Sequence, residues 1–429
     1  MKPRLYFLKK LRWLYPGIKI KRWIALLIGG IYLLVVGATR YQSSWPYQKN
    51  WLLVLKLLHG LIAVLGAAFV LIGAVKILQS ILSLLLPHHA EKDLVDIIFK
   101  KRFLERGPKI VAVGGGHGLS ALLFGIKDYT SNLTAIVTVA DSGGSSGRLR
   151  EEFGMLPPGD IRNCLVALAD APTLMGELFQ YRFEKDSDLK GHNFGNLFIT
   201  AMTQLTGDFE KAVKESSKVL AIRGQVVPST LNKVALVAEY KDGSTVEGEA
   251  VIPEKGLPIK RIYLKLSDAS TEIIQPTSDA IKAIQEAELI ILGPGSLYTS
   301  ILPNLVIKEI SEAIVNSHAP KIYVSNVMTQ HGETDGYSAF DHLYALIQHT
   351  HPRIVDYCVV NGTPPPTELL YKYSQEKSFP TLADIKRIEE AGYKVIQENV
   401  ISTQDYVRHD PKKLAKVIIN SFRRVSARR

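Results

Sequence analysis

Two short apolar runs that each end abruptly in a glycine-rich loop constrain the fold of this chain most strongly. The run at 109–113 leads into Gly114-Gly-Gly-His-Gly118, and the run at 134–140 leads into Asp141-Ser-Gly-Gly-Ser-Ser-Gly147. Such runs are typical of buried parallel strands, and glycines let backbone N–H groups approach a ligand without interference from Cβ atoms. Where such a loop opens a helix, its free amides attract phosphate. The two loops together predict a crevice for a nucleotide or a phosphosugar.

Strand and helix patterns alternate beyond residue 108. Apolar strands are predicted at 109–113, 134–140, 288–292, 320–324 and 354–360. Amphipathic helices are predicted at 118–127, 160–169, 193–206, 208–220, 279–287, 304–316, 339–350, 382–391 and 411–424. This alternation indicates βαβ units and predicts an α/β fold with a doubly wound, mostly parallel sheet over 108–429.

Residues 225–275 break the alternation. The segments 234–240 and 245–251 flank an Asp242-Gly243 turn, a pattern typical of a β-hairpin. A further strand is predicted at 259–266. The sequence therefore predicts a small β-rich insertion beside the sheet, in a position to cover a ligand.

The net charge of +11 belongs to one end of the chain. Residues 1–106 hold 17 Lys and Arg against 4 Asp and Glu, whereas the remaining residues hold 35 against 37. A near-neutral globular part has no broad positive surface for nucleic acid. We therefore expect no nucleic-acid partner.

Two apolar stretches lie within the basic end. Residues 23–39 carry no charge, and residues 52–75 carry one lysine and one histidine. A helix that spans a bilayer needs about 20 mainly apolar residues, so both stretches are long enough. We predict a membrane module at 1–86 with two transmembrane helices, then a juxtamembrane linker at 87–107. One span with a surface helix is the alternative, and a cleaved signal peptide is disfavoured by the long lead before the first stretch.

The basic residues around these stretches predict their orientation. Eight Lys and Arg precede the first stretch and the linker holds five, whereas the intervening loop holds two. Because basic flanks stay in the cytoplasm, we expect a multi-pass protein of the inner (cytoplasmic) membrane with its soluble domain in the cytoplasm. Within the linker, an amphipathic helix on the bilayer surface is predicted at 93–103.

The first glycine loop is the main candidate for a phosphate cradle. Its residues are Gly114, Gly115, Gly116, His117 and Gly118. A helix N-terminus favours a neutral imidazole at His117, which would contact the ligand or act as a general base. Against the dinucleotide fingerprint G-x-G-x-x-G, Leu119 replaces the third glycine, so support for NAD is weak. A tight strand–helix turn without a ligand is the alternative.

The second loop and four later segments add polar groups. Asp141 stands where a ribose-binding acid would lie, and Arg148 is suited to neutralise a diphosphate. Asp160 is a natural N-cap for the helix that follows it. The further candidate contacts are Gly143, Gly144, Ser145, Ser146, Arg162, Asn163, His192, Asn193, Asn196, Gly293, Pro294, Gly295, Ser296, Asn326 and Thr329. Because carboxyl ends of parallel strands meet at one edge, these loops are predicted to converge there.

Six segments resemble the bacterial gluconeogenesis factor family, whose members are relatives of the 2-phospho-L-lactate transferases. They are GGGHGLS, TAIVTVADSGGSSGRLREEFG, PPGDIRNCLVALA, GHNFGNLFITAM, ILGPGSLYTSILPNLV and NVMTQHGETDGY. The resemblance begins near Lys109 and leaves the first hundred residues outside. It implies a Rossmann-like fold, binding of a UDP-sugar such as UDP-N-acetylglucosamine, and a role in cell shape and wall synthesis during gluconeogenic growth. It also makes a dimer or larger homo-oligomer reasonable.

The resemblance places 114–118, Asp141, 143–146, Asn193, Asn196 and 293–296 around the nucleotide. Members commonly have Asp-Asp where this chain has Asp141-Ser142, which weakens a divalent-metal role in phosphoryl transfer. Cys164 and Cys358 lie in apolar contexts, so neither a disulfide nor a metal site is expected.

Three functions are compatible with these features. We favour a nucleotide-sugar-binding regulator that acts through a protein partner, because no closely spaced carboxylate pair or activated nucleophile indicates turnover. The main alternative is a transferase that moves a phosphate-containing group from a nucleotide donor to an alcohol, with Asp141 or Asp160 aiding the acceptor. An NAD-dependent enzyme is the weakest of the three.

Overall fold

The computed structural model describes residues 21–42, 50–85, 102–170, 173–267, 273–404 and 406–427 of the chain. The chain divides into two compact units, Met1–Phe99 and Lys100–Arg429, and this division falls inside the predicted linker. Most of the amphipathic helix predicted at 93–103 lies outside the described residues.

The N-terminal unit contains two long apolar helices, α1 (Lys21–Gln42) and α2 (Asn50–Leu85). Their segments Lys21–Tyr41 and Val54–Ser80 are long and apolar enough to cross a membrane, with mean hydropathies of 1.8 and 2.6. The first segment contains the first predicted span, and the second overlaps the second predicted span.

Glycines set the distance between α1 and α2. A Cβ atom at Gly30 would lie 2.8 Å from the backbone nitrogen of Val70. A Cβ atom at Gly66 would collide with the backbone of Leu34. Such close contacts require small residues, as is usual where membrane helices pack against each other.

A seven-stranded sheet forms the centre of the C-terminal unit. In chain order, the described strands are β1 (Ile110–Gly114), β2 (Leu133–Val137), β3 (Gln225–Pro228), β4 (Val234–Tyr240), β5 (Thr245–Glu247), β6 (Ile259–Leu266), β7 (Leu289–Leu292), β8 (Lys321–Val324), β9 (Tyr357–Asn361), β10 (Lys394–Glu398), β11 (Ile401–Ser402) and β12 (Arg408–His409). The sheet order is β10-β9-β8-β7-β1-β2-β3, and all neighbours are parallel. This arrangement confirms the predicted α/β fold.

Helices cover both faces of the sheet. They are α3 (Gly116–Ile126), α4 (Gly144–Phe153), α5 (Gly159–Leu168), α6 (Thr173–Gln180), α7 (Phe194–Thr206), α8 (Phe209–Val219), α9 (Ser278–Glu286), α10 (Leu302–Leu305), α11 (Lys308–Asn316), α12 (Ala339–His349), α13 (Thr367–Gln375), α14 (Ile385–Glu390) and α15 (Pro411–Ser426). Neighbouring strand residues face opposite layers, so that Ala112 packs in one apolar core and Val113 in the other. The free thiols of Cys164 and Cys358 are likewise buried in opposite cores.

The order of the strands places a crevice beside β1. The chain proceeds outwards from β1 to β2 and β3, and then returns to the other side of β1 with β7. Loops after β1 and β7 therefore diverge to opposite sides of the sheet. In open α/β sheets, ligands bind outside the carboxyl ends of the strands at such a switch point.

The predicted β-hairpin is present beside this sheet. Strands β4 and β5 pair antiparallel across Asp242-Gly243, and Gly243 has a φ of +87°. Strand β6 pairs with the other side of β4. The second arm ends at Glu247 instead of residue 251, because Gly248 turns the chain with a φ of +113°.

Several elements differ from the predicted pattern. β3 lies within the predicted insertion but belongs to the main sheet, and the sequence does not predict β10, α4, α6 or α13. β3 is only four residues long and ends in Pro228, so it carries little periodic signal. The helix predicted at 304–316 is interrupted, because the backbone of Ile307 is extended between α10 and α11.

Candidate functional site

A cleft of about 1360 Å³ opens at the carboxyl edge of the sheet. Most of the predicted ligand contacts line it, although they come from widely separated parts of the sequence. The predicted residues that line it are Gly115, Gly116, His117, Gly118, Asp141, Gly143, Gly144, Ser145, Ser146, Asp160, Arg162, Asn163, Asn193, Asn196, Gly295, Ser296, Asn326 and Thr329. The convergence expected from the strand order is therefore present.

Four helices begin at this cleft. They are α3, α4, α5 and α7, and residues from the first turn of each line the cavity. The first N–H groups of a helix have no partner inside it, and its N-terminus carries a partial positive charge. Four such ends directed at one cavity favour an anionic ligand.

Missing Cβ atoms shape the first glycine loop. A Cβ atom at Gly115 would lie 2.5 Å from Oδ2 of Asp160, and Gly116 has a φ of +62°, which favours glycine. The carboxylate of Asp160 therefore lies against this loop, where the Gly116 amide favours its charged form. The loop accommodates a neighbouring carboxylate and leaves space for a ligand.

Asp160 is not the N-cap that its position suggested. Helix α5 begins one residue earlier, at Gly159, with Pro158 in the cap position. Asp160 thus lies in the first turn and faces α3. By contrast, Asn193 caps α7, since its Oδ1 atom accepts hydrogen bonds from Gly195 N at 2.9 Å and Asn196 N at 3.3 Å.

A hydrogen bond from within the second glycine loop to Asp141 fixes the conformation of the loop. Oδ1 of Asp141 accepts a hydrogen bond of 2.9 Å from Gly143 N, and α4 starts at the next residue. Ser145 then lies against α7, where its hydroxyl accepts a 3.2 Å hydrogen bond from Nδ2 of Asn196. The loop is an ordered helix start rather than a flexible linker.

Five of the predicted contacts do not line the cleft. Gly114 is the last residue of β1. Gly293 and Pro294 lie in the loop after β7, which packs closely against α3: a Cβ atom at Gly118 would lie 2.6 Å from the Pro294 carbonyl oxygen. His192 is buried behind Ser145. Arg148 is exposed and donates a 2.8 Å hydrogen bond to the carbonyl oxygen of Lys190, so it is not placed to neutralise a diphosphate.

Buried polar atoms in the cleft lack protein partners. Within the described residues, Nε of Arg162, Oδ1 of Asn196 and Oδ1 of Asn326 form no hydrogen bond. Leaving such a group unsatisfied costs about 1–3 kcal/mol. All three residues line the same cavity, so a polar ligand could satisfy these atoms.

Charges of both signs lie around the cleft. Burial, and then the charges of Arg408 and Arg162, lower the pKa of His117, which favours a neutral imidazole. Burial, reinforced by the negative charge of Asp141, raises the pKa of both Asp160 and Glu249 to about 7. Two arginines near His117 are suited to an anion, while the two acids can take up or release a proton near neutral pH.

Two parts of the lining are not predicted from the sequence. Glu249 comes from the β-rich insertion and lines the cleft, where its Oε2 atom would lie 3.9 Å from a Cβ atom at Gly143, so the insertion reaches the cleft. Arg408 comes from the β11–β12 hairpin near the C-terminus, where its guanidinium lies 4.7 Å from the ring centroid of Tyr406. Only the short run of Tyr406, Arg408 and His409 before Asp410 could have drawn attention to this hairpin.

The fold and cleft define a Rossmann-like α/β protein with a polar cleft at the carboxyl edge of its sheet. Residues 110–401 match the family described as "2-phospho-L-lactate transferase CofD", and the chain belongs to this family. Within the described residues, no group of three or more His, Cys, Asp or Glu side chains is arranged to hold a metal ion.

Relatives named gluconeogenesis factor support the resemblance. The chain is 49% identical to "Gluconeogenesis factor" of Bacillus subtilis, over 73% of this chain and 98% of the relative. It is 47% identical to "Putative gluconeogenesis factor" of Nostoc sp., over 96% of this chain and 92% of the relative. The Nostoc match includes most of the first hundred residues, so the N-terminal extension is shared with that relative.

A solved structure of a Bacillus halodurans protein has the same fold as the matched part of this chain. The B. halodurans protein is 45% identical to this chain, with a TM-score of 0.70, and the match covers 73% of this chain and 100% of the B. halodurans chain. A second crystal structure of the same protein is described as a member of the UPF0052 family.

Proposed function

We propose that this chain is a membrane-tethered regulator that binds a UDP-sugar, such as UDP-N-acetylglucosamine, in the cleft. The proposal extends to control of cell shape and wall synthesis during gluconeogenic growth, through a protein partner. The gluconeogenesis factor names of its relatives support the physiological context. A homo-oligomeric state, also implied by the resemblance, is part of the proposal.

The observation that carries the ligand assignment is the convergence of four helix N-termini with unsatisfied buried polar atoms. A diphosphate would lie at the positive ends of the helices, near Arg162 and Arg408. The amides of Asn196 and Asn326 would then meet hydroxyl or base groups. Cavities that bind small ligands combine a large volume with a few polar groups in this way.

Regulation would follow from the separate origins of the cleft walls. Glu249 comes from the insertion and Arg408 from the β11–β12 hairpin, so a ligand that contacts both would draw these elements together. Such a ligand shifts a conformational equilibrium by its differential affinity for two states.

Calorimetry followed by mass spectrometry tests the proposal. Full-length protein in neutral detergent is titrated with UDP-N-acetylglucosamine, and the mixture is then analysed for products. We expect binding with the ligand recovered intact. Arg408→Gln should weaken the affinity about tenfold, since it removes a charged partner of the phosphates. Arg353→Gln, an exposed site outside the cleft, is the matched control.

A transferase is the second candidate, supported by the acids in the cleft. Asp160 and Glu249 have pKa values raised to about 7, so either can accept a proton from an alcohol near neutral pH. Release of a nucleotide from the donor when an alcohol is added would favour this function over the regulator.

Topology is tested by cysteine labelling in intact cells. The basic flanks of α1 and α2 predict cytoplasmic ends with a short outer loop. A membrane-impermeant maleimide should label Gln48→Cys in intact cells, and Asp186→Cys only after permeabilisation. Background is low because Cys164 and Cys358 are buried. Labelling of Asp186→Cys in intact cells would reject the proposed orientation.

A further inference from the structure

A second cavity lies at the edge of the sheet, away from the ligand cleft. It has a volume of about 920 Å³ and runs between the edge strand β10 and one face of α15. All five residues of β10 line it, and α15 contributes Lys413, Lys416, Val417, Asn420, Ser421, Arg424 and Val425. We call this cavity the edge groove.

The outer edge of β10, whose residues line the edge groove, has no strand partner within the described residues. Lys394 N donates to the Asp356 carbonyl oxygen at 3.2 Å, and the Glu398 carbonyl oxygen accepts from Gly362 N at 2.9 Å. In a parallel ladder, alternate residues bond to the same neighbour, so Val395 and Gln397 direct their N–H and C=O groups away from β9. β10 ends the described sheet, and these groups offer pairing to one more strand.

The charge of the edge groove selects the kind of strand that fits. Lys394, Lys413, Lys416 and Arg424 line it, against a single acid, Glu398. A second copy paired through β10 would bring two such positive surfaces together, which is unfavourable. A lipid headgroup would match the charge but would leave the backbone groups of β10 unpaired.

We propose that the edge groove binds an extended acidic peptide segment of a partner protein, which adds a strand to β10. Backbone pairing supplies the affinity in this mode of recognition, and side-chain contacts supply the specificity. The lining part of α15, from Lys413 to Val425, is about 18 Å long at 1.5 Å per residue. This length matches about five residues of an extended chain.

Fluorescence anisotropy with full-length protein in neutral detergent tests this proposal. The probe is a labelled peptide of alternating glutamate and valine, about eight residues long to exceed the length of the groove. We expect it to bind, and a lysine–valine peptide not to bind. N-methylation of alternate amides in the acidic peptide should weaken binding about tenfold, because it removes N–H donors.

A matched pair of variants locates the binding. Lys416→Glu with Arg424→Glu reverses two charges in the edge groove, and we expect affinity to fall about tenfold or more. Lys412→Glu with Arg423→Glu makes the same change on exposed positions of α15 outside the groove and should leave affinity within about twofold. Equal losses in both variants would overturn the proposal.

Two further results would also overturn it. One is failure of the acidic peptide to bind the unmodified protein. The other is insensitivity to N-methylation together with displacement of the peptide by phosphatidylglycerol added to the micelles, which would identify a headgroup surface. Far-UV circular dichroism of both variants checks that the exposed substitutions leave the fold unchanged.

Discussion

Glycine serves opposite purposes in the two units of this protein. In the helix pair, Gly30 and Gly66 bring two backbones together and leave no space between them. In the cleft, Gly115 and Gly159 make room for side chains, since Cβ atoms there would meet the carboxylate of Asp160 and the hydroxyl of Ser146. The same residue type therefore packs helices in one unit and shapes a polar site in the other.

The largest effect of a glycine substitution is expected in the helix pair. In Gly66→Leu, the side chain would enter the backbone of α1, and we expect a loss of roughly 3 kcal/mol or more, as for severe overpacking. All four tryptophans lie within residues 1–51, so their emission reports on this unit alone. We measure this loss by unfolding in SDS, followed by tryptophan emission. Gly29 faces open space, so Gly29→Leu should change the unfolding curve little. Ligand binding in the cleft should persist in both variants.

A smaller effect is expected when the space beside Asp160 is filled. In Gly115→Ala, the added Cβ would lie 2.5 Å from Oδ2 of Asp160 and 2.8 Å from Cγ2 of Thr138. We expect a loss of about 1–3 kcal/mol and weaker binding of the UDP-sugar. Urea unfolding followed by far-UV circular dichroism measures the loss of stability, and calorimetry measures the affinity for the UDP-sugar. Gly176→Ala, in open space on α6, should raise stability by about 0.5–1 kcal/mol.

The acid that Gly115 accommodates makes stability depend on pH. Burial and the charge of Asp141 raise the pKa of Asp160 from 3.8 to about 7, so between these values the folded chain keeps a proton that the unfolded chain has lost. This difference in proton binding therefore contributes stability to the folded state that is complete below about pH 4. The contribution is lost as the pH rises towards 7.

Asp160→Asn should remove this loss. We expect the variant to gain roughly 1–2 kcal/mol over the unmodified protein near pH 7.5 and little near pH 4, measured by urea unfolding. Asp186→Asn, whose side chain is 92% exposed, is the control. An unchanged pH profile in Asp160→Asn would show that the packing around Gly115 leaves the carboxylate solvated.

The sequence predicts those elements of the fold whose pattern is local to the element itself. The β-branched runs before the glycine loops predict β1 and β2, and Asp242-Gly243 predicts the hairpin. The parallel topology also predicts convergence of the loops. β3 and β10 escape prediction because edge strands are short and partly polar, with burial set by tertiary neighbours. Glu249 and Arg408 escape it because long-range packing alone brings them to the cleft.

The smallest effect is expected at Arg148, where sequence and structure disagree most clearly. Its place after a glycine loop predicts a phosphate contact, but α4 directs its guanidinium to the carbonyl oxygen of Lys190 at the surface. Arg148→Gln should therefore change the affinity for UDP-N-acetylglucosamine by less than about twofold, in the range of an exposed polar contact. Arg408→Gln, measured in the same calorimetric titration, should lose about tenfold. A large loss of affinity in Arg148→Gln would mean that the second glycine loop rearranges around the ligand. Its glycines would then allow the loop to move, instead of shaping a site that is already formed without the ligand.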